Sequence, residues 1–158
     1  MMLDDVVREA EALEAIDPDQ RLFFAAQIGE HLEEALADPH LLITVSEEFA
    51  RLAQTLNCDR IMGASSVGER LASAVIVVAN NGLRLYQPRQ PADHVLVVDS
   101  VAATGAQIAA ACKQVTADGA ARVSAAAVLV LQSSRSYLAE TVGDVTSIMP
   151  AVLNVRHS

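Results

Sequence analysis

A carboxylate at the end of a buried strand, with small hydroxyl and glycine residues behind it, can hold a polar ligand. The stretch "HVLVVDSVAATGAQ", His94 to Gln107, has this form. Val95 to Val98 are apolar β-formers, Asp99 ends them, and Thr104-Gly105 leads into an Ala-rich run. Such a loop offers backbone N–H groups with little side-chain obstruction and delivers them to a helix N-terminus, which is an anion site. Gly105 permits close backbone approach, and Asp99, at the expected strand tip, can accept hydrogen bonds from ligand hydroxyls. The same small residues also make an ordinary strand-to-helix turn, so loop chemistry alone leaves both readings open. A second loop of this kind, "GASSVGER", runs from Gly63 to Arg70.

Other chemistries fail on spacing. In "GASSVGER", Glu69 and Arg70 stand where a phosphate-loop NTPase needs Lys and Ser or Thr. Around Ser65 the Gly-x-Ser-x-Gly elbow of a hydrolase breaks at Val67. There is no Gly-x-Gly-x-x-Gly dinucleotide fingerprint. His31, His40, His94 and His157 are scattered and read as surface residues. Cys58 and Cys112 lack metal-ligand spacing and read as reduced core thiols of a cytoplasmic protein.

The elements that must position these loops follow from periodicity. Leu3, Val6, Val7, Ala10, Leu13 and Ile16 repeat at helical spacing. Asp17-Pro18 restarts the chain into a second stripe of Leu22, Ala25, Ala26, Gly29, Leu32 and Leu36, stopped by "DPH". Residues 1–40 are thus expected to form a helical hairpin on a core of residues 41–158. "LLITV" at 41–45 is ambiguous between strand and helix, and "SEEFARLAQTL" is a helix capped by Thr44 or Ser46. "DRIMG" is a short strand, "ASSVG" a tight loop and "ERLASAVIVVA" a helix. "LRLYQ" is an edge strand, and "PRQPADH" turns the chain into "VLVV". A helix from "AQIAAACKQVTAD", a strand "RVSAAAVLVL", a short helix at "SYLAETV" and a weak final strand at "AVLNV" complete the chain. Continuous apolar strands alternating with helices predict a mainly parallel sheet covered on both faces.

The chain has 158 residues, 52% hydrophobic, and a net charge of −9. That size suits one domain with an aliphatic core. No apolar run reaches the roughly 18 residues a membrane span needs, and no cluster of cations suits nucleic acid. Neither partner is expected, whereas the aliphatic hairpin suits a homodimer.

"VLVVDSVAATGAQ" resembles the signature of the type I phosphoribosyltransferases: four apolar residues, two acids, two apolar residues and a Thr-Gly loop. Val95 to Val98, Asp99, Val101, Thr104 and Gly105 match it. "DRIMGASSVGERLASAV" is similar to the family's pyrophosphate loop, and "DGAARVSAAAVLVL" to the strand after the signature helix. The pieces span about residues 46–131 and are most similar to orotate phosphoribosyltransferases. The resemblance implies an α/β fold with a central, mainly parallel sheet flanked by helices. It also implies a ligand, phosphoribosyl pyrophosphate or a related phosphorylated ribose or nucleotide. Ser100, Ala103, Thr104, Gly105, Ala106 and Gln107 would hold the 5-phosphate and ribose together with Asp99. Ala64, Ser65, Ser66, Val67, Gly68 and Glu69 would approach pyrophosphate. Mg²⁺ would arrive with the ligand, and Asp99 would meet it through that ligand.

The sequence departs from the family at three places. Ser100 replaces the second acid, which removes a negative charge from beside a developing oxocarbenium ion. Ala103 and Gln107 replace hydroxyl residues. The long loop before the signature is reduced to "PRQPADH", leaving Arg84 and Arg89 as the nearby cations able to assist catalysis with Asp99. The expectation is a phosphoribosyltransferase-fold protein that binds the ligand with weak or no base transfer. An active phosphoribosyltransferase and a structural interaction module are the alternatives.

Overall fold

The computed structural model describes residues 3–14, 18–102, 104–143 and 145–148. Two N-terminal helices, α1 (Leu3–Glu14) and α2 (Pro18–Leu36), lead into α3 (Pro39–Thr55). Then come β1 (Arg60–Gly63), α4 (Ser66–Val78), β2 (Arg84–Leu85), β3 (His94–Ala102), α5 (Ala106–Ala117), β4 (Arg122–Val130), α6 (Gln132–Thr141) and β5 (Val145–Ser147). The strands form one five-stranded sheet in the order β2-β1-β3-β4-β5. Every pairing in it is parallel.

Strand β3 is central because its sequence is apolar on both faces. Leu96 and Val98 join a core with Ile28 and Leu32 of α2, Phe49 of α3 and Leu71 and Val75 of α4. Val95 and Val97 point the other way, onto Ile108, Cys112 and Val115 of α5 and Leu138 of α6. Burying both faces is what requires helices on both sides of a parallel sheet. Cys58 and Cys112 are both buried free thiols, and burial pushes each up to about 11. No helix of the described residues is long and apolar enough to cross a membrane.

Several boundaries differ from the sequence expectation, each for a local reason. "LLITV" is helical, because Asp38 caps α3 by accepting from His40 N at 3.0 Å and Pro39 starts its first turn. The cap is therefore Asp38, not Thr44 or Ser46. Helix α4 starts at Ser66 rather than after "ASSVG", since Ser65 Oγ accepts from Gly68 N at 3.1 Å. Strand β2 keeps two residues and runs parallel to β1, so "LRLYQ" and "VLVV" make no hairpin. Helix α6 starts four residues before "SYLAETV", at Gln132. The expected strand "AVLNV" lies outside the described residues, and β5 at the sheet edge was not anticipated.

His94 is not on the surface: it is 3% exposed. Its ring lies 2.9 Å from the Leu56 carbonyl through Nδ1 and 2.7 Å from Ser124 Oγ through Nε2. The carbonyl can only accept, so Nδ1 donates to it, and the Ser124 hydroxyl, able to donate or accept, meets Nε2. This ring ties the end of α3 to β3 and β4 at the end of the sheet opposite Asp99.

Candidate functional site

The strand that was expected to stop at Val98 continues to Ala102, paired with β4 as Asp99↔Ala127, Val101↔Leu129 and Ala102↔Val130. Asp99 and Ser100 therefore belong to the central strand, 3% and 8% exposed. Asp99 Oδ1 accepts from Ser65 Oγ at 2.7 Å and from Ser100 N at 2.8 Å. Among the described residues no Lys or Arg pairs with this carboxylate. Burial raises the Asp99 carboxyl above its ordinary value, and the two donors only partly oppose it.

Ser65 joins the two loops. Its hydroxyl donates to Asp99 and accepts from Gly68 N, so the cap of α4 also orients the central carboxylate. The glycines beside it are required by packing. A Cβ on Gly63 would come within 2.0 Å of Glu69 N, and one on Gly68 within 2.6 Å of the Val98 carbonyl. Three of the backbone N–H groups there are engaged within the protein. Ala64 N donates to Val98 O, Gly68 N to Ser65 Oγ and Glu69 N to Ser65 O. Ser66 and Glu69 are exposed, and Val67 is half-buried.

The N-terminus of α5 differs. Its cap residue is Gly105, at φ +83 and without a side-chain hydrogen bond. Ala106 N is taken by Thr104 Oγ1 at 3.2 Å. Gln107 N and Ile108 N are first-turn groups without a partner inside the helix. Thr104, Ala106 and Gln107 are exposed. A Cβ on Gly105 would meet Leu138 of α6 at 2.7 Å, so packing against α6 also requires glycine there. Ala103 lies outside the described residues.

Two hollows meet at Asp99. A small one, about 90 Å³, is lined by Asp99, Val101, Ala102, Thr104, Gly105, Gln107 and Ile108. A larger groove, about 290 Å³, runs beneath α2 and adds Gly29, Glu30, Glu33, Ser65, Val67 and Ser100. Arg84 and Arg89 border neither. Arg84 is level with Arg60 and Val95 in the sheet register, at the end opposite Asp99. Arg89 sits in the turn after β2 with φ 69. The α2 wall was missed from the sequence, where Ala26 and Gly29 were expected in the buried stripe. The buried face is instead Ile28, Leu32, Ala35 and Leu36. The available signal was Gly29 itself, a residue that weakens a helix interior unless something else requires it.

A carboxylate at the carboxyl end of a central parallel strand, beside an open helix N-terminus, is where ligands sit in open α/β sheets. Orotate phosphoribosyltransferase from Aeropyrum pernix superimposes with a TM-score of 0.51 at 16% identity, over 72% of this chain and 74% of that one. Purine phosphoribosyltransferase from Pyrococcus horikoshii Ot3 gives 0.52 at 16% identity, over 65% and 78%. The fold is that of the type I phosphoribosyltransferases. No family model and no curated protein matches the sequence. The described residues contain no cluster of three His, Cys, Asp or Glu able to hold a metal. One carboxylate with half its oxygens in use is not an all-protein Mg²⁺ site. It does suit the ordinary Mg²⁺ arrangement in which substrate phosphates and water supply most ligands.

Proposed function

We propose that the chain binds a phosphorylated ribose, either phosphoribosyl pyrophosphate or a related ribose 5-phosphate ligand, with little or no base transfer. The reading rests chiefly on Asp99 and Ser100, which line the C-terminal end of the central strand where the two hollows meet. The ribose hydroxyls bond to Asp99 and Ser100, and the 5-phosphate takes the smaller hollow against Thr104, Gln107 and the first turn of α5. Mg²⁺ accompanies the ligand beside Asp99 and neutralises phosphate charge.

Weak transfer follows from the charges. An oxocarbenium-like transition state gains from nearby carboxylates, and Ser100 supplies a hydroxyl where a second acid would act. Losing one preorganised electrostatic contact costs about 10²–10³ in rate. Arg84, at the far end of the sheet, cannot assist a departing pyrophosphate.

The test is a thermal shift with ribose 5-phosphate and phosphoribosyl pyrophosphate, with and without Mg²⁺, alongside a base-transfer assay with orotate and purines. A ligand at 100 times its Kd stabilises by about 2.7 kcal/mol, or about 5–10 °C at this chain length. No shift with either ligand overturns the binding reading, and turnover at about 1–10³ s⁻¹ overturns weak transfer.

A further inference from the structure

The smaller hollow is lined by a segment that has little with which to hold itself. Ala102 and Gly105 carry too little side chain to fix a backbone, and Thr104 and Gln107 are exposed. A site that presents backbone N–H groups must have its supporting chain held from outside. Here the support is α6. Ser134 is 1% exposed, and its hydroxyl lies 2.9 Å from two carbonyl oxygens, those of Ala102 and Leu131, so its single proton serves both. The Ala102 oxygen also accepts from Leu131 N at 3.0 Å. Leu138, one turn further along α6, fills the space beside Gly105 that a Cβ would need. Residues 134 and 138 share one helix face. That face grips the chain where it leaves β3 and again where it enters α5.

We propose that Ser134 is a positioning residue for the phosphate: through Ala102 it fixes the start of the turn whose far end presents Gln107 N and Ile108 N to the smaller hollow. This rests on the phosphorylated-ribose reading above and extends it to a residue that touches no ligand. Ser134 lines neither hollow, so its effect reaches the ligand through the backbone.

Removing the hydroxyl leaves the Ala102 carbonyl its Leu131 partner, so the strand end stays paired. What is lost is the second bond that aims that carbonyl. First-turn amides hold an anion by distance and direction, and a hydrogen bond weakens steeply as its angle closes. A small swing of the turn therefore costs affinity. Asp99 stands in the paired part of β3 with its own donors, Ser65 and Ser100 N, and is not aimed by Ser134.

The experiment is titration calorimetry with ribose 5-phosphate and with inorganic phosphate, on wild type, Ser134→Ala and Ser124→Ala, with amide NMR spectra of each free protein. Ser124→Ala is the comparison for simple loss of a hydrogen bond, since its hydroxyl meets His94 Nε2 at 2.7 Å at the opposite end of the sheet. Ser134→Ala should weaken both ligands at least threefold and shift the Gly105 and Gln107 amide signals. Ser124→Ala should do neither. Ser134→Cys, similar in size with a weaker donor, should act in the same direction and replaces Ser134→Ala if that variant does not fold. A loss below threefold, an equal loss in Ser124→Ala, or unmoved amide signals overturns the inference. If wild type binds and Ser134→Ala binds equally well, only the positioning role falls. If wild type binds neither ligand, the phosphorylated-ribose reading falls and the inference with it.

Discussion

Replacing Ser65 with alanine tests whether the two loops act as one unit. Ser65→Ala removes the cap of α4, a loss of about 1 kcal/mol for an ordinary helix. It also removes the side-chain donor 2.7 Å from a carboxylate that is 3% exposed. A hydrogen bond to a charged group contributes about 1.5–3 kcal/mol, so the two losses together reach about 2.5–4 kcal/mol. At about 2–4 °C per kcal/mol for a chain of this length, the melting temperature should fall by roughly 5–15 °C. The assay is urea unfolding of wild type, Ser65→Ala, Asp99→Asn and the double variant at pH 7. In the Asp99→Asn background the serine should matter about 1 kcal/mol less, because its partner is no longer charged. An alanine effect no larger than that of a plain cap, with no coupling to position 99, would refute the linkage.

Asp99→Asn alone should show a pH signature. The folded carboxyl lies above its unfolded value of 3.8, so the wild type holds its full contribution below that value and loses it as pH rises through the folded one. Urea midpoints at pH 4 and pH 7 should therefore show the wild type losing ground to Asp99→Asn at the higher pH; a difference independent of pH counts against it. Gly29→Ala should stabilise the protein by about 0.5–1 kcal/mol, read as a higher melting temperature. Gly105→Ala should cost about 2–4 kcal/mol from its left-handed backbone and the Leu138 contact. Combined with Leu138→Ala, it should destabilise less than the two separate losses added.

The fold was legible because its signals are local and repeated. Four apolar residues before Asp99 and an Ala-rich run after Gly105 already dictate strand, turn and helix. The resemblance carried by Asp99, Thr104 and Gly105 points to the fold that the superpositions show. What escaped notice depends on contacts between distant segments. The pairing of Asp99 to Ala102 with β4 extends the strand through residues that read as loop. His94 looks like a surface residue until Leu56 and Ser124 arrive on either side of it. Gly29 and Ala26 fit an apolar stripe on a helical wheel, and only the placement of α2 over β3 turns them toward the groove. The glycines at 63 and 68 were legible as a tight feature, but the close approach of α4 to β1 and β3 requires them without any ligand.

The all-parallel sheet also has a consequence for how the chain acquires its shape. Parallel neighbours cannot be joined by a tight hairpin, so every ladder here waits for a segment to return from far along the chain. The nearest long pairing is β3 with β4, which needs α5 to form and dock between them. Strand β1 must find the other side of β3 across the intervening α4 and β2. The α2 wall comes from the opposite end of the chain from β4 and closes over β3 only where that strand already stands. Such ordering makes refolding slow for the chain's size. It also makes the Asp99 groove a late product, completed after the central strands that support it.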